Sequence, residues 1–424
     1  MLGTYIHLVA LPFQYLALGA TPVQLGTGVA IFGGVSLVLI LFGGALVDRL
    51  PRRRVILLSD LGSGVVVTAI AGLGLSGQLR IEHLYLEGAF FGATSAFFYP
   101  AMGAIIPELI PSDILLQGNN LRGLGRQAAR LAGPVAGGLI VALAGAPIAF
   151  LVDGISFFVS FGALWSVRPQ VALPPSPRTH LLREIREGLA FTFSIPWLWI
   201  TIFLFALVNA AYVGALAVAL PILVRDDLHA DARVFGLIEG LTGAGAIVGA
   251  VLLGQLKPVR IGLAMYLACV VQGLTMIAFG ATGVVPVLLV FAAIGGAAIT
   301  VFGVLWETAL QRHVPGPLLG RVTSIDFFGG TLLGPVAPLV AGVIVASSGA
   351  PIVFIGAGTT IALLCLAALA VPSIRQLRNG STQRHPERRD HRPRRPWEDH
   401  PGGCDAEAEP HLPREPTDGR TGDG

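Results

Sequence analysis

The sequence predicts an all-α polytopic membrane protein built from two six-helix bundles related by internal duplication, and three observations carry that prediction. Across 424 residues, 54% are hydrophobic and only 12% charged, with a mean hydropathy of +0.74, well beyond a soluble globular composition. Apolar runs of about 20 residues, the length that crosses a bilayer as a helix, recur along the chain. GAPIAF at 145–150 returns as GAPIVF at 349–354, and Pro134 with Pro338 and Gly138 with Gly342 keep the same offset of 204. Composition bias does not preserve one offset across separate motifs. The duplication is the sequence trace of a fold built from two structural repeats.

The first span, 2–18, is shorter than the roughly 20 residues an untilted helix needs, so further residues are expected upstream of Met1. Spans 23–46, 55–76 and 81–106 follow, then a loop at 107–117 with two prolines. A fifth span, 119–144, carries Arg122, Arg126 and Arg130 on one face, and 147–167 completes the N-terminal bundle, 1–167. Residues 168–194 read as a cytoplasmic linker: four prolines precede a basic amphipathic stretch suited to the membrane surface. The C-terminal bundle, 195–372, holds spans at 197–223, 234–256, 259–281, 285–310, 319–347 and 352–371. From 373 to 424 the chain is rich in Pro, Arg, Asp, Glu and Gly without apolar periodicity and is expected to be a disordered cytoplasmic tail.

Orientation follows from the basic residues. Arg49, Arg52, Arg53 and Arg54 crowd the short connection after the second span, and Arg168, Arg183, Arg186, Lys257, Arg260, Arg312, Arg321, Arg375 and Arg378 fall on the same side. That side is therefore cytoplasmic, with both termini on it. Arg80, Arg225 and Arg233 are the chief basic residues opposite, the last two beside Asp226, Asp227 and Asp231. A net charge of +3, concentrated in connections, serves topology and not nucleic-acid binding. Cys269 and Cys365 in apolar runs and Cys404 in the tail form neither a disulfide framework nor a metal-ligand spacing. No H-E-x-x-H, nucleophile elbow or phosphate-binding loop is present, so neither an enzyme nor a self-contained ATP-driven pump is read, and no cofactor or metal is expected. No filter-like ring of repeated carbonyl or acidic residues suggests a channel.

Gly44-x-x-x-Asp48-Arg49-x-x-Arg52-Arg53 resembles the signature loop between helices 2 and 3 of the major facilitator superfamily, with Pro51 where that pattern usually carries Gly. Its echo in the second half, Gly249 to Leu253, keeps the shape and loses the acid. Gly133-Pro134-Val135-Ala136-Gly137-Gly138 resembles the helix-5 motif of drug–proton antiporters, and Gly125, Ala129, Gly133 and Gly137 form a small-residue stripe for close helix packing. Trp306 to Pro315 with Gly320 to Asp326, and Ala149 to Ser160, resemble the macrolide-efflux and siderophore-exporter-like branch, the likeness extending over 2–372. The resemblance implies a bacterial plasma-membrane, monomeric, secondary active transporter that exports a small amphipathic molecule, coupled to protons, by alternating access. An importer, or a transporter-shaped sensor or partner without transport activity, is the alternative.

Ionisable groups within spans are costly and mark candidate sites. Glu87 and Glu239 lie roughly 8–9 Å from the outer ends of helices that line the cavity in this superfamily, and Glu239 is preferred as the titrating group because Gly236, Gly240, Gly243 and Gly245 leave room around it. Arg130 is a candidate counter-ion, with Asn209, Gln14, Tyr212 and Gln272 as scattered polarity. Asp153 is read as structural and His7 and His313 as interfacial, a lone His having no chemistry without partners. In the cytoplasmic gate, Asp48 is expected to meet the helix start near Gly320 to Ser324, and Arg52 or Arg53 to pair with Asp326 or Glu307, Arg321 lying on the same surface.

Overall fold

The computed structural model describes residues 1–47, 50–111, 113–167, 181–256 and 258–377, with all of these side chains except those of 41–47, 181, 182 and 184. The described residues form helices and their connections. The first half comprises α1 (Leu2–Ala17), α2 (Pro22–Val47), α3 (Arg52–Leu75), α4 (Ile81–Leu109), α5 (Leu115–Ala144) and α6 (Ala146–Ser166). After α7 (Leu181–Ser194), the second half begins with α8 (Pro196–Gly214), which continues without a break through π-helical Ala215–Ala219, α9 (Leu220–Ile222) and π-helical Leu223–Asp227. Then come α10 (Ala232–Leu256), α11 (Ile261–Ala281), α12 (Val285–His313), α13 (Gly316–Thr331), α14 (Val336–Ser348), α15 (Ala350–Leu369) and α16 (Pro372–Arg375). Eleven of these spans, with Pro196–Asp227 and Gly316–Ser348 each counted once, are long and apolar enough to cross a membrane. The 16 residues of α1 rise only about 24 Å and pack against α5 and α6.

Local chemistry sets the helix ends. Thr21 and Gln24 cap α2 reciprocally, each side chain accepting from the other's backbone N–H at 3.2 and 2.9 Å. Gly145 and Gly349 open α6 and α15 with φ of 85° and 86°, a region that favours glycine, and each is followed by Ala-Pro. The 204-residue repeat is thus a repeat of backbone shape. Boundaries differ from the sequence expectation where proline is tolerated or enforced. Pro107 lies inside α4, so the expected loop shrinks to a few residues, whereas Gly334-Pro335 splits the eleventh span into α13 and α14. The chain stays packed past 373: Ile374 and Leu377 are buried, and Gly262 donates to the Leu377 carbonyl at 3.3 Å. Most of the expected linker, 168–180, and the tail from 378 lie outside the described residues.

The halves meet through two equivalent pairs of helices, α5 on α10 and α14 on α2. In the first, a Cβ at Gly236 would overlap the Pro134 carbonyl and one at Gly138 the Ala232 carbonyl. In the second, Gly26 takes the place of Gly236 against the Pro338 carbonyl, and Gly342 the place of Gly138 against the Pro22 carbonyl. Both pairs close the end of the bundle that carries residues 18–21 and 228–231. Toward the other end, the basic one carrying Arg52–Arg54 and Arg321, α13 packs on α7, α8 and α12 of its own half, and Leu116, Leu121, Leu124 and Phe327 are exposed. The bundle is closed at one end and open at the basic end.

Candidate functional site

A cavity of about 400 Å³ lies between the halves, walled by α1, α2 and α4 on one side and by the 196–227 span and α10 on the other. Most of its lining is apolar or aromatic, including Phe32, Phe91, Leu216 and Phe235. Its ionisable groups are few: His7 and Glu87 from the first half, Glu239 from the second, with Tyr15, Tyr99 and Tyr212. Glu87 and Glu239 thus face one space from opposite halves. The π-helical turn at Ala215–Ala219 aims Leu216 and Ala217 into the same wall, a use of π-geometry common at functional sites.

His7 corrects the interfacial reading. Its Nε2 stands 3.4 Å from Glu87 Oε1 and its Nδ1 3.2 Å from Asp153 Oδ2, so α1 supplies an imidazole between carboxylates of α4 and α6. Asp153 and Glu87 are buried, and His7 packs against Phe91 and Phe150 at ring-centroid distances of 5.3 and 5.1 Å. The close approach is made possible by Gly3, where a Cβ would overlap Ser156 and Asp153. Ser156 donates to the second Asp153 oxygen at 3.3 Å. A lone His in a linear reading has two partners in three dimensions, 80 and 146 residues away. A second missed acid, Asp60 on α3, is buried and accepts a hydrogen bond of 2.7 Å from Ser160 on α6, tying those helices together.

The remaining candidates divide. Glu239 has Arg130 as its charged neighbour, and Tyr212 feels both. The glycines around Glu239 do not leave room for a ligand: Gly236, Gly240 and Gly243 receive α5, and Gly245 the backbone of Ala293 on α12. They are packing surfaces. Gln14 is buried away from the cavity lining, Asn209 donates to the Gly330 carbonyl at 3.3 Å, and Gln272 borders a small void beside Glu239. The motif in α5 works on two faces, since Gly133 and Gly137 admit Tyr5 and Ile6 of α1 while Pro134 and Gly138 admit α10.

At the basic end, Gly44 lies in the last turn of α2, and Asp48 and Arg49 lie outside the described residues. Arg52 pairs with Glu108 at 2.7 Å and also donates to the Ala104 carbonyl at 3.2 Å. Arg53 donates to the carbonyls of Leu164 and Trp165 and lies over the Trp165 ring. In this open state both arginines therefore bind their own half and not Asp326 or Glu307. Asp326 instead accepts from Trp306 Nε1 at 2.9 Å, and Glu307 stays on the α12 surface. Arg321 pairs with Glu187 of α7, whose carboxyl Arg183, and after it Arg321, hold below the usual carboxylate range. His313 packs on Trp197. Among the described residues, no group of three or more His, Cys, Asp or Glu has the arrangement of a metal site.

Comparison with known proteins places this geometry. The family described as transmembrane secretion effector matches residues 1–394. Enterobactin exporters of Citrobacter koseri and of Escherichia coli O1:K1 are each 28% identical, over 82% of this chain and 85% of their own length. A bacterial homologue of the iron transporter ferroportin, solved in an inward-facing state, superposes with a TM-score of 0.67 at 17% identity, covering 87% of this chain and 97% of its own. A bacterial homologue of the human lysosomal transporter Spinster, also inward-facing, gives 0.67 at 14% identity over 89% and 96%.

Proposed function

The chain belongs to the transmembrane secretion effector family and is a major facilitator superfamily transporter, and from that premise we propose that it exports a small amphipathic molecule in exchange for protons by alternating access. The observation that carries the proposal is the cavity between the halves, apolar over most of its wall and bearing Glu87 and Glu239 from opposite sides. An apolar pocket with few polar groups suits an amphipathic ligand. A carboxyl in such a place favours its neutral form when dry and its charged form when water or a cation is present. Proton and substrate therefore favour opposite charge states of the cavity, which is what exchange requires.

The excess of Arg on one end supports placing that end, and both termini, in the cytoplasm, so that the cavity is open inward and poised to load. Closure of the basic end would bring Asp48 toward the start of α13, where unpaired N–H groups favour an acid. The enterobactin exporters support export as the direction. The test is efflux from proteoliposomes under an imposed pH gradient, using an amphipathic cation, a neutral amphiphile and a catecholate as separate probes. Glu239→Gln should retain probe binding and lose dependence on the gradient. Efflux by the Glu87→Gln, Glu239→Gln double variant equal to wild type would remove proton coupling through these groups.

A further inference from the structure

Glu87 faces the cavity, but the group it contacts leads away from it, into a cluster that the export reading leaves without a role. We propose that His7, Glu87 and Asp153 form a proton-binding site in which His7 carries the coupled proton between the cavity-side Glu87 and Asp153. The proposal rests on the proton-exchange reading above and gives Glu87, one of its two cavity carboxyls, a proton-binding site of its own.

Burial comes first. The side chains of Glu87 and Asp153 are 2% and 1% exposed and that of His7 12%, and both Glu87 oxygens, Asp153 Oδ2 and His7 Nδ1 lack a well-aligned hydrogen bond. Charges withdrawn from water without full partners are neutralised by uptake of a proton. With both carboxylates ionised and His7 neutral, the cluster carries a charge of minus two, and one proton taken up lowers it to minus one.

Geometry gives the route. Each ring nitrogen of His7 faces a different carboxylate, and a neutral imidazole accepts at one nitrogen while donating at the other. A proton taken from the cavity onto Glu87 Oε1 passes to His7 Nε2 as the Nδ1 proton passes to Asp153 Oδ2. One O–H and one N–H bond break, one N–H and one O–H form, and the imidazole changes tautomer with no net charge created. Phe91 and Phe150 flank the ring and keep bulk water from bypassing it.

The ionisable groups on the elements packed around the cluster include Asp60 on α3, Tyr85 and Tyr99 on α4, Arg126 and Arg130 on α5, Glu239 on α10 and Arg225 on the 196–227 span. The charges that act on Glu87 are His7 and Asp153, whereas Arg130 acts on Glu239. Arg126 lies by Tyr99 and Tyr5, and Arg225 donates to the Leu16 carbonyl at the other end of α1. Since α5 receives α1 on one face and α10 on the other, a change in the pull of α4 and α6 on α1 reaches the contact between the halves.

The test is infrared difference spectroscopy of the full chain in lipid, titrated with pH and with no substrate present, alongside gradient-driven efflux. Among its titrating carboxyl bands, wild type should show one that shifts when the protein is made with carboxyl-¹³C aspartate. Asp153→Asn should lose the band and at least ten-fold of gradient-driven efflux, while Glu239→Gln keeps the band. Asp60→Asn, which removes the other buried aspartate of the first half, should keep the band, and Asp153→Glu decides if Asp153→Asn does not fold, by moving the band out of the aspartate-labelled set. No titrating band that moves with labelled aspartate, or one that is unchanged in folded Asp153→Asn, overturns the assignment. An aspartate band lost in Asp153→Asn but no gradient-driven efflux in wild type would instead sink the exchange reading and leave the site standing.

Discussion

In the first half, α1, α4 and α6 bury His7, Glu87 and Asp153 against one another, whereas 204 residues beyond Asp153 the second half holds Ala357, buried among apolar neighbours. The residue after each is glycine in both halves, Gly154 receiving α3 and Gly358 receiving α11, so the packing of the peripheral helix has been kept while its acid has not. The second half spends its buried polarity differently. Thr201 and Tyr266 share a hydrogen bond of 2.9 Å, and Phe205 stacks on Phe302 at 3.9 Å. What the difference teaches is a division of labour: the duplicated shape builds the closure between the halves, and the cluster of buried ionisable side chains around His7 belongs to the first half.

The largest expected effect comes from forcing the halves to match. Ala357→Asp would bury a carboxylate in the second half with no counterpart to His7, and an uncompensated buried charge costs about 3–5 kcal/mol. A collapse in folded yield and thermal midpoint is expected, far beyond that of Asp153→Ala, which removes a charge from a cluster that still holds another acid. Equal melting temperatures for the two variants in the same detergent would show that the asymmetry is incidental.

The closure itself predicts the opposite, sameness. Gly138→Val and Gly342→Val each drive a side chain into a helix-start carbonyl, Ala232 in one case and Pro22 in the other, and overpacking of this kind costs about 1–3 kcal/mol. Both should loosen the closed end and raise the population open there, read as faster labelling of cysteines placed in 228–231 and 18–21. If only one variant responds, the two helix pairs are not equivalent hinges and the duplication is one of sequence more than of mechanics.

Much of this was legible beforehand, for reasons that particular residues make plain. Helix number and the offset of 204 follow from local hydropathy and from repeated motifs that are written where they act, and the positive φ of Gly145 and Gly349 is the backbone requirement that the repeat preserves. Glu87 and Glu239 stood out because an acid in an apolar run is conspicuous on its own. The meaning of His7 was not legible, since it depends on two side chains brought in by α4 and α6, and a linear pattern does not record which faces of three helices converge. The glycines near Glu239 failed for a related reason: a small residue signals close approach, but not whether a ligand or a helix does the approaching. In the case of Arg52, the sequence names a charge at the basic end without saying which conformational state its partner belongs to.

A smaller effect tests whether the basic end, open here, is held by the signature loop when shut. Asp48→Asn is expected to favour the state seen in this structure by about 1 kcal/mol, the worth of an acid at a helix start. Spin-label distances between α4 and α12 at the basic end should then show a larger open fraction than wild type. Unchanged distance populations would remove Asp48 from the gate and leave closure of the basic end to other contacts between the halves.

The smallest expected effect concerns α7, the one described segment between the halves, and asks whether it belongs mechanically to the second. Glu187 bridges Arg183, one turn away on α7, and Arg321 on α13, and those arginines hold its carboxyl below the usual carboxylate range. A carboxyl whose folded-state value is depressed stabilises the folded arrangement above its unfolded value, near 4.3, and that contribution is lost as the pH falls through the lower, folded value. The pair is exposed, so its strength is also reduced by salt. Glu187→Gln should therefore detach α7 slightly at neutral pH and low salt, read as faster amide exchange in 185–193, and should make progressively less difference as the pH falls through the lowered folded-state value, where the wild-type carboxyl is itself taking up its proton. Amide exchange in α7 that is the same in wild type and Glu187→Gln at pH 7 would mean that packing of α7 on α13 and α8, and not the ion pair, keeps it with the second half.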